Sequence, residues 1–341
     1  DGNGKKDTFG LNIANDLYGG YSGLLGFFAG FHAYPYASSS TSMWIKGDDG
    51  KLVYGGIQPE MKAALAKLQE LYKAGAIDPQ FVVYDAAKSA ENEKQGKTGV
   101  HYGQTWVIGW PIDPNDKKND PEMEWRPYPL VSIDDQPALV PVADPTSFWY
   151  FAVKKGVKHP EAVVKMLNLV LEKVYGENAE PEKYHTLVVG DSSYPVFQYS
   201  PVQVEHPDKN RTAWKKVNEA LQSGDTSALN PEQLKYYNDY QKYHEGDVNY
   251  WGADRTWGPE GSYAVVNFYH ENNRYIVNEF IGAPTETMSQ KGSILMDMEK
   301  QMITKIIMGE PVDTFDQFVE SWKQSGGDQI TQEINEWYAN R

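Results

Sequence analysis

Apolar positions in this chain recur with helical spacing more often than with the alternation of a strand. After Pro59, the residues Met61, Ala64, Leu65, Leu68, Leu71 and Tyr72 share one face of an amphipathic helix that Gly75 closes. His159-Pro160 opens a second, with Val163, Met166, Leu167, Val170, Leu171 and Val174 on a wide apolar face. Two polar helices are expected at 212–221 and 231–244. The C-terminal part is helical in pattern throughout. Leu295, Met298, Met302, Ile306 and Ile307 mark a helix over 293–308 that stops at Gly309 and Pro311. Thr314 with Gln317 makes a capping box ahead of Phe315, Phe318, Val319 and Trp322, closed by Gly326, and a last helix from Asp328 presents Ile330, Ile334, Trp337 and Tyr338. Earlier, Leu24, Leu25, Phe27, Phe28 and Phe31 predict a buried helix within 21–36, with close backbone approach at Gly26 and Gly30.

Strand signals are shorter. Met-Trp-Ile-Lys and Lys-Leu-Val-Tyr flank Gly-Asp-Asp-Gly and predict a hairpin over 43–54. A short helix at 91–96 leads to a short strand at 98–102, then to Gly-Gln-Thr-Trp-Val-Ile-Gly-Trp-Pro, where Trp106 and Trp110 stand four apart. They form either a ring platform or a core plug. A polar loop is expected at 113–121 and a strand-like segment at 125–131, and a Pro- and Asp-rich linker reaches Pro145 as a crossing between domains. Thr-Ser-Phe-Trp-Tyr-Phe-Ala-Val at 146–153 reads as a central strand entering a site at Trp149. The segment 246–263 concentrates Tyr250, Trp251, Trp257 and Tyr263 among glycines and Pro259, which predicts an aromatic loop. Short strands among capped helices predict an α/β fold.

At 341 residues with 40% hydrophobic content, the chain has apolar surface for two domains. Composition narrows the partners. A net charge of −15 repels nucleic acid and anionic lipid. With no cysteine, disulfides, thiolate catalysis and cysteine metal sites are excluded together. No run of the sequence approaches a membrane span. Aromatic residues make up 13%, with 23 Tyr and 10 Trp, in a chain whose mean hydropathy is −0.61. Such rings in a polar chain point to carbohydrate contact, since an indole covers the CH face of a sugar while polar neighbours meet its hydroxyls.

Two stretches carry candidate chemistry. In the segment 246–263, Trp251 and Trp257 would act as ring platforms, flanked by Asn249, Asp254, Arg255 and Glu260 as hydrogen-bonding groups; Gln104, Trp106 and Trp149 join them as candidate sugar contacts. An Ω-loop packing its own aromatics explains the same letters. The opening Asp-Gly-Asn-Gly-Lys-Lys-Asp has oxygen ligands at alternate positions and Gly4 at the bend, so Asp1, Asn3, the Lys5 carbonyl and Asp7 fit the third, fifth, seventh and ninth positions of a calcium loop. The first ligand would lie two residues upstream, which predicts weakened calcium affinity. A polar surface turn is the competing reading, because the bidentate Glu of the EF-hand pattern is missing.

Gly-Asn-Gly-Lys-Lys-Asp, Gly-Gln-Thr-Trp-Val-Ile-Gly-Trp-Pro, Asp-Pro-Thr-Ser-Phe-Trp-Tyr-Phe-Ala-Val, Trp-Gly-Pro-Glu-Gly-Ser and the close from Gly309 to Trp337 stand in an order that resembles the family 1 extracellular solute-binding proteins. More narrowly, they resemble the oligosaccharide-binding lipoproteins of Bacillus and Paenibacillus, related to the alginate-binding periplasmic proteins. The resemblance implies a two-lobed periplasmic-binding-protein-like fold, with a helix-rich C-terminal third and a first lobe incomplete in this chain. Residues 1–140 would be mainly second lobe with hinge-crossing segments, and 141–341 the returning segments of both lobes. It further implies a monomer on the outer face of a Gram-positive membrane, lipid-anchored, that binds an oligosaccharide between its lobes and delivers it to the permease of an ABC importer. The calcium loop at 1–8 is also a feature of these relatives.

An enzyme is the alternative: Asp254, Glu260, Glu245 and Asp247 beside aromatic rings suit a glycoside hydrolase, provided two carboxylates face each other across the bond. No carboxylate sits in a recognisable catalytic signature, and the 7 histidines show no zinc spacing. A non-catalytic carbohydrate-binding surface protein is the remaining alternative.

Overall fold

The computed structural model describes residues 4–143, 150–190 and 192–341. Its backbone divides into two units, each mixing helices with short strands. Unit 1 comprises Asp1–Ile112, Tyr128–Asp144 and Tyr269–Arg341; unit 2 comprises Asp113–Pro127 and Pro145–Phe268.

In unit 1, strand Phe9–Leu11 pairs in parallel with Thr98–Val100, and Leu11 bridges in parallel to Ile77. The helix Pro59–Lys73 supplies the crossover before Ile77 and buries the predicted face, Met61, Ala64, Leu65 and Leu68. The hairpin forms as predicted, Trp44–Lys46 against Leu52–Tyr54, with Trp44 opposite Tyr54. Because side chains alternate along a strand, that register turns both rings to the same buried face. A second parallel pair joins Val140–Val142 to Tyr275–Val277. The buried helix of the early segment is Leu25–Gly30.

Three helices end the chain, Glu286–Ile307, Thr314–Trp322 and Asp328–Ala339. The first begins earlier than its apolar periodicity predicts, because the Thr285 hydroxyl caps it by accepting from the Met288 N–H. The Thr314–Gln317 capping box is corrected. Asp313 occupies the N-cap without a side-chain bond, and the Thr314 hydroxyl donates backwards to the Pro311 carbonyl at 2.7 Å. Between the last two helices Gly326 takes φ 134°, and a Cβ on Gly327 would fall 2.0 Å from the Trp322 ring. Only glycine fits that corner.

These elements share one core in which Tyr18, Phe28, Trp44, Tyr54, Ile303 and Trp322 are buried. Inside it lies a carboxylate. Glu299, fully buried on Glu286–Ile307, accepts hydrogen bonds from the Tyr18 hydroxyl at 2.8 Å and the Tyr54 hydroxyl at 2.6 Å. Tyr54 also stacks on Trp322 with ring centres 5.0 Å apart.

Unit 2 is mainly helical, with Lys209–Ser223, Pro231–His244 and Trp251–Trp257, and with Ser262–Glu271 running past its end. Asn230 and Gln233 form a reciprocal capping box at the start of Pro231–His244. The expected loop at 113–121 instead holds the helix Pro114–Asn119, because Asp113 and Asp116 cap it reciprocally. No ladder forms over 125–131, where Pro127 and Pro129 lack the N–H that a ladder needs. Residues 150–153 are likewise not a strand, and the rest of that expected strand, 146–149 with Trp149, lies outside the described residues. The helix Ala162–Val170 forms, yet none of its side chains is buried. Beside it a pocket of about 400 Å³ is lined by Val170, Tyr175, Tyr184, Phe197 and Tyr199. His185 stacks on Phe197 at 4.4 Å, and burial pulls its imidazole down to about 4, so the ring is neutral.

Burial pushes the Glu299 carboxyl up from 4.5 to about 7, against the opposing pull of the tyrosine hydrogen bonds and Lys300. The folded state therefore holds this proton more tightly than the unfolded chain does. Its stabilising effect is complete below pH 4.5 and is lost as pH rises through about 7. The shift corresponds to roughly 3 kcal/mol across that window. Denaturant midpoints at pH 5 and pH 8 should fall with pH in the wild type, and Glu299→Gln should flatten the fall; equal slopes in the two proteins would refute this origin.

Candidate functional site

The residues of the predicted sugar site fall in both units: Gln104 and Trp106 in unit 1, and Trp251, Asp254, Arg255, Trp257 and Glu260 in unit 2.

In unit 2 the expected aromatic loop is a correction. Residues Trp251–Trp257 form a helix entered from the turn Val248–Tyr250, which Asp247 caps by accepting from the Asn249 N–H. Trp251, Asp254 and Trp257, three apart, occupy its buried side. That burial outweighs the helix-weakening effect of Gly252, and Pro259 stands beyond the C-cap, where it does no harm. Trp251 is 2% exposed and Trp257 9%. Trp257 is also closed on both faces, stacked on Tyr236 at 3.7 Å and on Tyr263 at 4.7 Å. Neither ring offers a sugar an open face.

The polar groups nearby are committed to one another. Asp254 pairs with Arg255 and, at 2.9 Å, with His244; Arg255 reaches Glu124 at 2.5 Å, and Glu260 meets Arg126 at 3.0 Å. Glu124 also lies 3.4 Å from Lys117, whose Nζ donates to the Pro121 carbonyl at 2.7 Å. Burial raises the Glu124 carboxyl, but the charges of Arg255 and Lys117 more than offset it and hold the group below its ordinary range. The series fastens the segment Asp113–Pro127 onto the rest of unit 2. Asn249, the remaining polar candidate, accepts from Lys118 of that same segment at 2.9 Å.

In unit 1 the geometry is open. The turn Thr105–Gly109 presents Trp106, 49% exposed, and Trp110 beyond it, 42% exposed, with ring centres 5.8 Å apart and planes inclined at 52°. Val107 and Ile108 between them are buried, so the turn is anchored through its middle and displays its two indoles. Trp106 donates its indole N–H to the side-chain oxygen of the exposed Gln104 at 2.8 Å. The Gln104 N–H is fixed in turn on the Gly20 carbonyl at 2.8 Å.

Beneath this pair lies a polar cluster that nothing in the sequence pattern announces. Tyr21 meets Trp110 edge-on at 4.9 Å and donates its hydroxyl to Glu93 at 2.6 Å. His101 Nδ1 lies 2.9 Å from the same carboxylate, at an angle off that of a regular hydrogen bond. Asn12 and Ser89 exchange hydrogen bonds at its edge, Ser89 Oγ donating to Asn12 Oδ1 at 2.9 Å and Asn12 Nδ2 donating to the Ser89 carbonyl at 3.2 Å. Desolvation and the Glu93 charge push the Tyr21 phenol well above its ordinary range, so it remains a donor.

Of the calcium-loop residues, Asp1 and Asn3 lie outside the described residues, as does Trp149. Gly4 takes φ 78°, the left-handed bend the loop spacing calls for, with Lys5 exposed and Asp7 half-buried after it. Among the described residues, no three acidic or histidine side chains gather as a metal site.

No protein-family model matches the chain. It is 25% identical to an uncharacterised protein encoded in the butB 5′ region of Niallia circulans, over 287 residues that cover 81% of this chain and 98% of that protein. Among the solved structures that share the fold are two with sugar-related ligands in their names. One is the alginate-binding protein AlgQ2 without calcium ion, 14% identical with TM-score 0.55, covering 97% of this chain and 63% of that one. The other is an HMO-binding, ABC-transporter-associated solute-binding protein from Bifidobacterium longum infantis, 14% identical with TM-score 0.55, covering 99% and 66%. This chain thus spans just under two thirds of their length. The likeness establishes a two-lobed α/β fold of the periplasmic-binding-protein kind.

Trp257→Ala should act on folding. Removing a buried ring stacked on both faces should lower stability by about 3–5 kcal/mol, read as a drop in denaturant midpoint. A variant as stable as the wild type would restore Trp257 as a candidate ligand contact.

Proposed function

We propose that this protein is the extracellular substrate-binding component of an ABC importer, which captures an oligosaccharide and hands it to the permease. The reading rests on one observation, the exposed Trp106–Trp110 pair set on a buried polar support with Gln104 at its rim. Two inclined indoles offer apolar faces to successive pyranose CH surfaces, and the amide meets hydroxyls at the edge. The fold shared with sugar-binding proteins agrees with this role. No helix among the described residues is long and apolar enough to cross a membrane. Membership of the family 1 solute-binding proteins, a lipid anchor on a Gram-positive membrane and a monomeric state belong to the same proposal.

Two of the four acids of the hydrolase reading are engaged within the fold. Asp254 is buried in ion pairs, and Glu260 is committed to Arg126. Incubation with plant or bacterial oligosaccharides separates the two: stoichiometric binding without new reducing ends is expected, and product formation would mark an enzyme.

Calcium at Asp1, Asn3, Lys5 and Asp7 is part of the proposal, with Gly4 already bent as such a loop requires. Calcium in hundredfold excess over its dissociation constant should stabilise the folded chain by about 2.7 kcal/mol. A thermal midpoint that neither calcium nor chelator moves would reduce the loop to a surface turn.

Sugar binding itself is tested by titrating a panel of oligosaccharides, followed by tryptophan fluorescence and calorimetry. Trp106→Ala and Trp110→Ala should each weaken the best ligand by roughly 5- to 30-fold, a loss of about 1–2 kcal/mol per ring. Unchanged affinity in both folded variants would place the site elsewhere.

A further inference from the structure

Stacking explains why Trp106 and Trp110 face outward, but not why a carboxylate is buried below them. Glu93, on the helix Ala86–Lys94, is 1% exposed. An acid so far from water is costly unless hydrogen-bonded and paired. Here its partners are themselves the supports of the platform. One oxygen, Oε2, takes the Tyr21 hydroxyl at 2.6 Å and lies 2.9 Å from His101 Nδ1. The Tyr21 ring leans on His101, with centres 5.2 Å apart, and makes a T-shaped contact with Trp110 at 80°. Trp110 in turn contacts Trp106, with ring centres 5.8 Å apart and planes inclined at 52°. All five residues belong to unit 1.

We propose that Glu93 is a positioning residue for the indole platform: by fixing Tyr21 and His101 through one carboxylate oxygen, it sets the angle at which Trp110 meets a ligand. Glu93 touches no ligand in this account. The proposal rests on the sugar-binding reading for its functional consequence, but its structural half stands alone. Without the acid, the Tyr21 phenol loses its 2.6 Å acceptor, and the orientation of the ring against Trp110 rests on packing alone. The platform then holds two indoles of unfixed inclination, and each must be ordered by the ligand at binding.

Two inclined indoles in contact couple optically, so circular dichroism in the strong indole bands, taken as the difference from Trp110→Ala, reads their geometry. Glu93→Ala and Tyr21→Phe should both diminish this coupled signal and weaken oligosaccharide binding roughly three- to tenfold. Glu93→Gln, whose amide oxygen still accepts from Tyr21, should retain most of both. Tyr21→Phe keeps the ring and removes only the hydroxyl, so it carries the test even if Glu93→Ala does not fold. A coupled signal and an affinity unchanged in folded Tyr21→Phe would overturn the proposal. A signal lost in the variants, in a protein that binds no oligosaccharide, would retire the sugar reading and leave the positioning role supported.

Discussion

Unit 1 closes around the carboxylate of Glu299. Two phenols, Tyr18 from the start of the chain and Tyr54 from the hairpin, donate to it away from bulk solvent, and Glu299 itself stands on a C-terminal helix 281 residues away from Tyr18. A buried acid tolerates no vacancy among its partners. The hairpin, the early turn and the C-terminal helices must therefore all be in register before the acid is satisfied. Apolar burial by Ile303, Ile306, Leu65 and Trp322 drives these elements together, and the Glu299 bonds select the arrangement in which they fit.

Much of this frame was legible in the chain, because helices that bury one face leave a periodic trace. Pro59–Lys73, Pro231–His244 and Asp328–Ala339 appear with nearly the bounds their patterns predict, and the hairpin with its turn. The misreadings have specific causes. The glycines and Pro259 around Trp257 suggested a loop, but the cost of Gly252 in a helix is about 1 kcal/mol, less than the gain from burying Trp251 and Trp257. At Thr314 the capping letters are present, but the preceding turn already engages the hydroxyl. The Tyr21–Glu93–His101 cluster left no trace at all, since residues drawn from a loop, a helix and the end of a strand share no spacing.

The candidate site was legible by residue type and not by environment. Trp106 and Gln104 are candidates because a Trp-rich turn with amide neighbours suits a sugar, and the structure sets them together at an exposed edge. Asp254, Arg255 and Glu260 are equally suitable in type. Arg255 and Glu260 are answered from the segment Asp113–Pro127, which in the sequence reads as an unrelated polar stretch, and Asp254 is answered by Arg255 and His244. A ligand would have to displace those ion pairs, with the desolvated Asp254 left unpaired, before it gained anything from the same groups.

Two kinds of tryptophan are therefore distinguished by how many ring faces the fold itself uses. Trp257 has both faces covered by tyrosines, so its dispersion and quadrupole interactions are spent within unit 2 and a sugar has no surface to approach. Trp110 is held by an edge, from Tyr21, and by its neighbour Trp106, and much of its area stays in contact with solvent. Exposed apolar area is unfavourable for a folded chain in isolation, and holding it rigid adds an entropic cost. That cost becomes an advantage only when something binds, because a ring already fixed in place loses little freedom on contact. In the role proposed for Glu93, the buried carboxylate beneath the exposed indole pair supplies that preorganisation by holding the Tyr21 ring against Trp110.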